Sequence, residues 1–144
     1  MLLLLGMVAW IAGAIFALRG ARWAYAIFVL LGFVWIPASA GFHLHWPDCE
    51  LRFGFDLAVY SLTNYKHVVL FGVFFLMTRV QLGRRPHALL LAFTATLAMG
   101  ALIELEEGMT AGHCRSRDLI PDATGAAIGA VVAEVWDRRS ARPS

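Results

Sequence analysis

The chain is built from apolar runs too long and too uniformly hydrophobic for a surface helix. Five of them stand out: Leu2–Leu18, Trp23–Phe42, His67–Thr78, His87–Ile103 and Leu119–Trp136. A helix crosses the hydrocarbon core of a bilayer with roughly 20 such residues. His67–Thr78 is short, but Phe55–Leu62 just before it is apolar too, so the third helix is expected to be longer. Pro37 is expected to kink the second. Charged residues make up only 15% of the chain and the mean hydropathy is +0.68, whereas a soluble domain carries about a quarter charged residues. These features predict an all-α, polytopic membrane bundle of about five transmembrane helices, one domain spanning residues 1–144.

Basic residues set the orientation. Arg19 and Arg22 lie between the first and second runs, Arg79, Arg84 and Arg85 between the third and fourth, and Arg138, Arg139 and Arg142 after the fifth. With five crossings these eight fall on one side and the other four Lys and Arg on the opposite one. The positive-inside rule makes the richer side cytoplasmic, so the N-terminus is expected outside and the C-terminus inside. Trp23, Trp46 and Trp136 flank span ends as interfacial anchors do. Met1–Leu18 lacks the basic start of a signal peptide and reads as a retained first helix. The net charge of +2 comes from scattered arginines, with no phosphate-binding loop and no basic patch, so nucleic acid is not an expected partner.

Polar variety collects on the outer side, in Gly41–Lys66 and in the stretch around Gly108–Arg117. Ionisable groups in or beside membrane helices are costly and face cavities or partners, which makes them functional candidates. His43, His45, Asp48, Glu50 and Arg52 read as exposed loop groups. Glu104 and Glu107 are three apart and share a helix face. Asp118, Asp122, Gly125 and Gly129 form one stripe of the fifth helix, with two carboxylates near its outer end and two glycines deeper in, where small residues let helices pack closely. His67 opens the third helix with Phe71 one turn on. The expected pocket holds His67, Glu104, Glu107, Asp118 and Asp122, with Arg115 and Arg117 compensating the acids. Simpler roles stand beside it: Asp118 as a helix N-cap, and His67 as an interfacial ring bonded to backbone.

The two cysteines, Cys49 and Cys114, both fall in outer loops. An oxidising compartment favours joining them, closing a loop of about 65 residues worth about 4 kcal/mol in a chain-entropy account. The bond is expected to fix the Gly41–Lys66 segment as a lid over the pocket. His43, His45, Cys49, His113 and Cys114 offer zinc-ligating atoms, but their spacing matches no established zinc motif; the expectation is no metal and no cofactor.

In order and spacing, part of this chain resembles the VanZ-like family, named for an accessory protein of teicoplanin resistance. That family shows a histidine followed by aromatics, then Glu-x-x-Gln, a loop arginine, and Asp-x-x-x-Asn-x-x-Gly-x-x-x-Gly. Here His67-Val-Val-Leu-Phe71 fits the first, and Glu104-Leu-Glu-Glu107 the second with Glu for Gln. Arg115 or Arg117 supplies the arginine, and Asp118-Leu-Ile-Pro-Asp122-Ala-Thr-Gly125-Ala-Ala-Ile-Gly129 fits the last with Asp for Asn. The likeness covers His67 to Trp136. It implies a bacterial, multi-pass protein of the inner (plasma) membrane, with a binding or accessory role in the cell-envelope or glycopeptide response. Membrane lipid, a lipid-linked envelope precursor or other membrane subunits are the partners it suggests. A small structural subunit of a larger membrane complex and an enzyme hydrolysing a lipid phosphate or ester are the alternatives. No catalytic signature such as Ser-His-Asp or His-Glu-x-x-His favours the enzyme.

Overall fold

The computed structural model describes residues 2–40, 46–52, 54–110 and 114–140, with side chains for all of these except 2–4 and 33–40. Six α-helices, one 3-10 turn and a two-stranded ribbon account for most of them. In chain order these are α1 (Leu2–Leu18), α2 (Arg22–Ala40), β1 (Cys49–Glu50), α3 (Phe55–Ser61), α4 (Tyr65–Leu82), α5 (Ala88–Met109), β2 (Cys114–Arg115), a 3-10 turn (Ser116–Asp118) and α6 (Leu119–Ser140). The fold is all-α. The side chain of Pro37 and the residues His43, His45 and His113 lie outside what is described.

Two helices, α5 and the continuous run Ser116–Ser140, are long and apolar enough to cross a membrane. That is fewer than the five expected, and the reasons are physical. At 1.5 Å per residue the 17 residues of α1 rise about 25 Å, short of a ~30 Å hydrocarbon core. For α2, which runs on to Ala40, the side chains beyond Gly32 lie outside the described residues. The apolar middle of α4 is flanked by Lys66 and His67 at one end and by Arg79 and Gln81 at the other.

The third segment also differs from expectation, because it is two helices rather than one long one. The Ser61 hydroxyl donates to the Ala58 carbonyl at 2.8 Å and the Thr63 hydroxyl to the Tyr60 carbonyl at 2.6 Å. Such local side-chain bonds take up carbonyls that a continuing helix would use. The chain turns, and α4 restarts with the Asn64 carbonyl accepting from the amide of His67 at 3.0 Å. By contrast α5 runs past Ile103, its expected end, because glutamates are good helix formers. It stops only where Thr110 turns extended. The last helix likewise takes in Asp137, Arg138 and Arg139, with Arg138 paired to Glu134 one turn back at 2.9 Å.

At the centre of the bundle is α4, packed against α6, α5 and α1. On one side Phe74 and Met77 meet Ala17, Ala24 and Phe28, with Trp10 stacked on Phe28 at 4.6 Å between ring centroids. On the other side Phe75 packs with Ala92, Ala126 and Ala133. Outward-facing positions are apolar as well: Leu30, Leu90, Val131 and Trp136 are all largely exposed. At the arginine-rich end, Arg79 pairs with Asp137 at 2.7 Å, tying α4 to α6, and the Gln81 amide donates to the Ala17 carbonyl at 2.8 Å.

The α4–α6 contact is backbone against backbone. A Cβ on Gly125 would collide with the Val68 carbonyl and stand 2.9 Å from the Gly72 nitrogen. One on Gly129 would stand 2.9 Å from Phe75 and 3.0 Å from the Gly72 carbonyl. Without side chains at these positions the two axes approach closely enough for dispersion contacts along the whole seam. Gly125→Ala should therefore overpack the seam and destabilise the fold by roughly 1–3 kcal/mol. Gly32→Ala, where a Cβ meets nothing within 4 Å, should not destabilise it. Unfolding midpoints of the two variants in the same detergent check this, and equal midpoints would refute the account.

Candidate functional site

The close approach of α4 and α6 brings the first turn of each helix together. His67, in the first turn of α4, bonds through Nδ1 to Oδ1 of Asp122, in the first turn of α6, at 2.8 Å. Asp122 is completely buried, while the His67 side chain keeps 22% of its surface and stacks on Phe71 at 5.8 Å. The second oxygen of Asp122 has no hydrogen-bond partner and lies against Gly100 of α5, where any Cβ would collide with it. Burial of a carboxylate demands compensation, and here one imidazole supplies it.

Glu104 lies one helical turn beyond Gly100 on the same face of α5. That face is a stripe at every fourth position, Ala92, Thr96, Gly100, Glu104 and Gly108, and all five are buried. Glu104 is 3% exposed. Its Oε2 accepts the backbone amide of Arg115 at 2.7 Å, and its Oε1 has no hydrogen-bond partner. Half-buried Glu107 and Asp118 complete the group, Asp118 within electrostatic range of His67, Glu104, Glu107 and Asp122. The site is thus a floor of Asp122 and Glu104 under a partly open rim of His67, Glu107 and Asp118.

The two arginines do not sit where the sequence reading put them. Both guanidinium groups turn to Glu50 on β1, Arg117 at 3.8 Å and Arg115 at 4.0 Å. Arg115 serves Glu104 through its backbone nitrogen, although it stays within electrostatic range of Glu107. Glu50, read as one more exposed loop charge, is half-exposed and is the acid these arginines face. Four carboxylates are therefore left around one histidine.

A covalent strap closes this end of the bundle. Cys49 and Cys114 form a disulfide, with Cα atoms 4.6 Å apart and a sequence separation of 65. Next to it β1 and β2 pair in parallel, Cys49 opposite Cys114 and Glu50 opposite Arg115. The bridge packs against Gly108, where a Cβ would stand 2.6 Å from that of Cys114. The amide given to Glu104 thus belongs to the residue after the disulfide, which joins strap and site in one unit. Beyond it α3 rests on the 3-10 turn and the start of α6. Among the described residues no set of three His, Cys, Asp or Glu side chains is arranged to hold a metal ion.

Gly100 and Gly108 escaped the sequence reading. The signal was present, a small residue every fourth position leading into and past Glu104, but it is visible only once α5 is known to continue to Met109. No protein family, curated protein or solved structure matches the chain.

Removing the Glu104 side chain leaves the Arg115 amide without its acceptor. Glu104→Ala should cost about 1–3 kcal/mol of stability, whereas Glu104→Gln, which still accepts that bond, should cost less. Losing the disulfide through Cys114→Ser should cost about 2–5 kcal/mol. Alkylation of the unreduced protein should modify neither cysteine. Denaturation curves and intact mass measure both, and two alkylated cysteines without reductant would contradict the strap.

Proposed function

We propose that this is a five-span protein of a bacterial inner (plasma) membrane, N-terminus outside and C-terminus inside, which binds the polar head group of an envelope component in its outer acidic site. The reading extends the resemblance to VanZ-like proteins to an accessory role in the envelope response to glycopeptides. Three features support it. Five long helices coincide with the five apolar runs. Eight of the twelve Lys and Arg fall on one side when all five cross. The disulfide fits an oxidising outer surface.

The observation that carries the binding role is the buried Asp122–His67 pair beside buried Glu104, at the end of the bundle opposite the arginine clusters. Burying such groups lowers stability unless they are compensated. A merely structural helix contact could be made by apolar residues at less cost, so the arrangement fits a ligand site better than it fits a structural subunit.

Hydrolysis of a lipid phosphate or ester is a second reading, favoured by the His67–Asp122 bond itself. A buried carboxylate on Nδ1 orients an imidazole whose Nε2 can take a proton from water. No Ser-His-Asp or His-Glu-x-x-His signature accompanies the pair in the sequence, and the binding role is preferred.

A reporter that folds only in the cytoplasm, fused after Ser144, should be active, and one active only outside should be silent; the reverse pattern would overturn the topology. Expression in a teicoplanin-sensitive host should shift susceptibility several-fold, and Asp122→Asn should abolish the shift at equal protein level. No shift with the unaltered chain would remove the glycopeptide role.

A further inference from the structure

The charge balance of the site identifies the chemistry of its ligand. If His67 and Asp122 compensate each other, Glu104, Glu107 and Asp118 remain, and the guanidinium groups of Arg115 and Arg117 are turned to Glu50. A second observation is independent of that count. Glu104 is 3% exposed, one of its oxygens is fixed by the Arg115 amide, and the other has no hydrogen-bond partner among the described residues. Its carboxylate lies among His67, Glu107 and Asp118. A buried acceptor left without a donor costs free energy that a ligand N–H can return.

We propose that this site takes a primary ammonium group, presented from the outer surface. The inference rests on the head-group reading above and names the class of head group. An ammonium is a compact point charge with three donors, which suits acceptors distributed around it: Glu104 Oε1 on the floor, and Glu107 and Asp118 on the rim. A phosphate or carboxylate head group would face Glu104, Glu107 and Asp118, with only the His67 imidazole, already bonded to Asp122, to offset them. A quaternary amine carries the charge but no N–H to give Glu104. A divalent metal ion needs several converging ligands, and the described side chains do not provide such a set. Asp122 lies beneath, its free oxygen held against Gly100. It orients His67 without touching the amine.

The test uses the full chain in nanodiscs holding equal amounts of phosphatidylethanolamine, phosphatidylcholine and phosphatidylglycerol with matched acyl chains. Lipid retained on release is read by native mass spectrometry. Phosphatidylethanolamine should be retained at least about tenfold over phosphatidylcholine, a difference of one lost charged hydrogen bond. Glu104→Gln, which keeps the Arg115 bond, should erase the preference, and so should Asp118→Asn at the half-exposed rim, where folding is not at risk. Ethanolamine added as a free amine separates the two sources of the group. Competition shows that the ammonium alone is recognised, and its failure ties recognition to a lipid-borne amine; both results keep the assignment. Preferential retention of phosphatidylglycerol, or equal retention of phosphatidylcholine, would overturn the ammonium assignment while leaving a head-group site. No retention of any lipid above the bulk ratio, with no effect of ethanolamine, would overturn both.

Discussion

Everything at the His67 end of this bundle depends on burying one carboxylate. Asp122 has no exposed surface and one hydrogen-bonding partner, His67. A charge or a strong dipole in that position is tolerable only if its partner is held at bonding distance. That distance is set by the glycines at 72, 125 and 129, which let α4 and α6 meet at backbone contact. The glycine seam and the polar pair are one construction, because widening the seam by a methyl group would lengthen the contact that compensates the acid. Gly100 makes the same concession on α5, giving up a side chain so that the second oxygen of Asp122 has a place to lie.

The second support is the strap. Glu104 belongs to α5, yet the donor that fixes it comes from β2, and β2 is held by a disulfide and a two-residue ribbon to β1. The position of that backbone amide therefore depends on residues far away in sequence. A single hydrogen bond to a charged group is worth about 1.5–3 kcal/mol, comparable with the chain-entropy contribution expected from the bridge, so neither dominates the other. They act on the same few atoms, so their effects on the site are expected to be non-additive.

How much of this could be read from the residues follows from what each pattern encodes. Apolar blocks located the long helices, and helical spacing put Asp122, Gly125 and Gly129 on one stripe of α6, because a 3.6-residue period is a property of the sequence itself, whereas Asp118 falls in the 3-10 turn just before that helix. The break at Leu62–Asn64 was missed because Ser61 and Thr63 compete for carbonyls that a continuous apolar run would leave to the helix. The partner of Arg115 and Arg117 was missed for a different reason. Which acid an arginine meets depends on loop closure, and Glu50 comes opposite Arg115 only through the β1–β2 register. Of the five expected spans, α5 and α6 are long and apolar enough to cross by length and composition, while α1 and α4 are set apart from them by length or by flanking charge.

The bridge between Cys49 and Cys114 also imposes a parity. Two sulfur atoms can bond only if they emerge on the same face of the membrane, so the chain between them must cross an even number of times. Between them lie α3, α4 and α5, and α3, at seven residues, is too short to cross. Either α4 and α5 both traverse the bilayer or neither does. Because α5 is long and apolar enough to traverse, its crossing obliges α4 to follow despite the charges at its ends. In the five-span reading proposed above, α4 and α5 would enter the membrane together as a hairpin, with the oxidised bond joining the chain on either side of it.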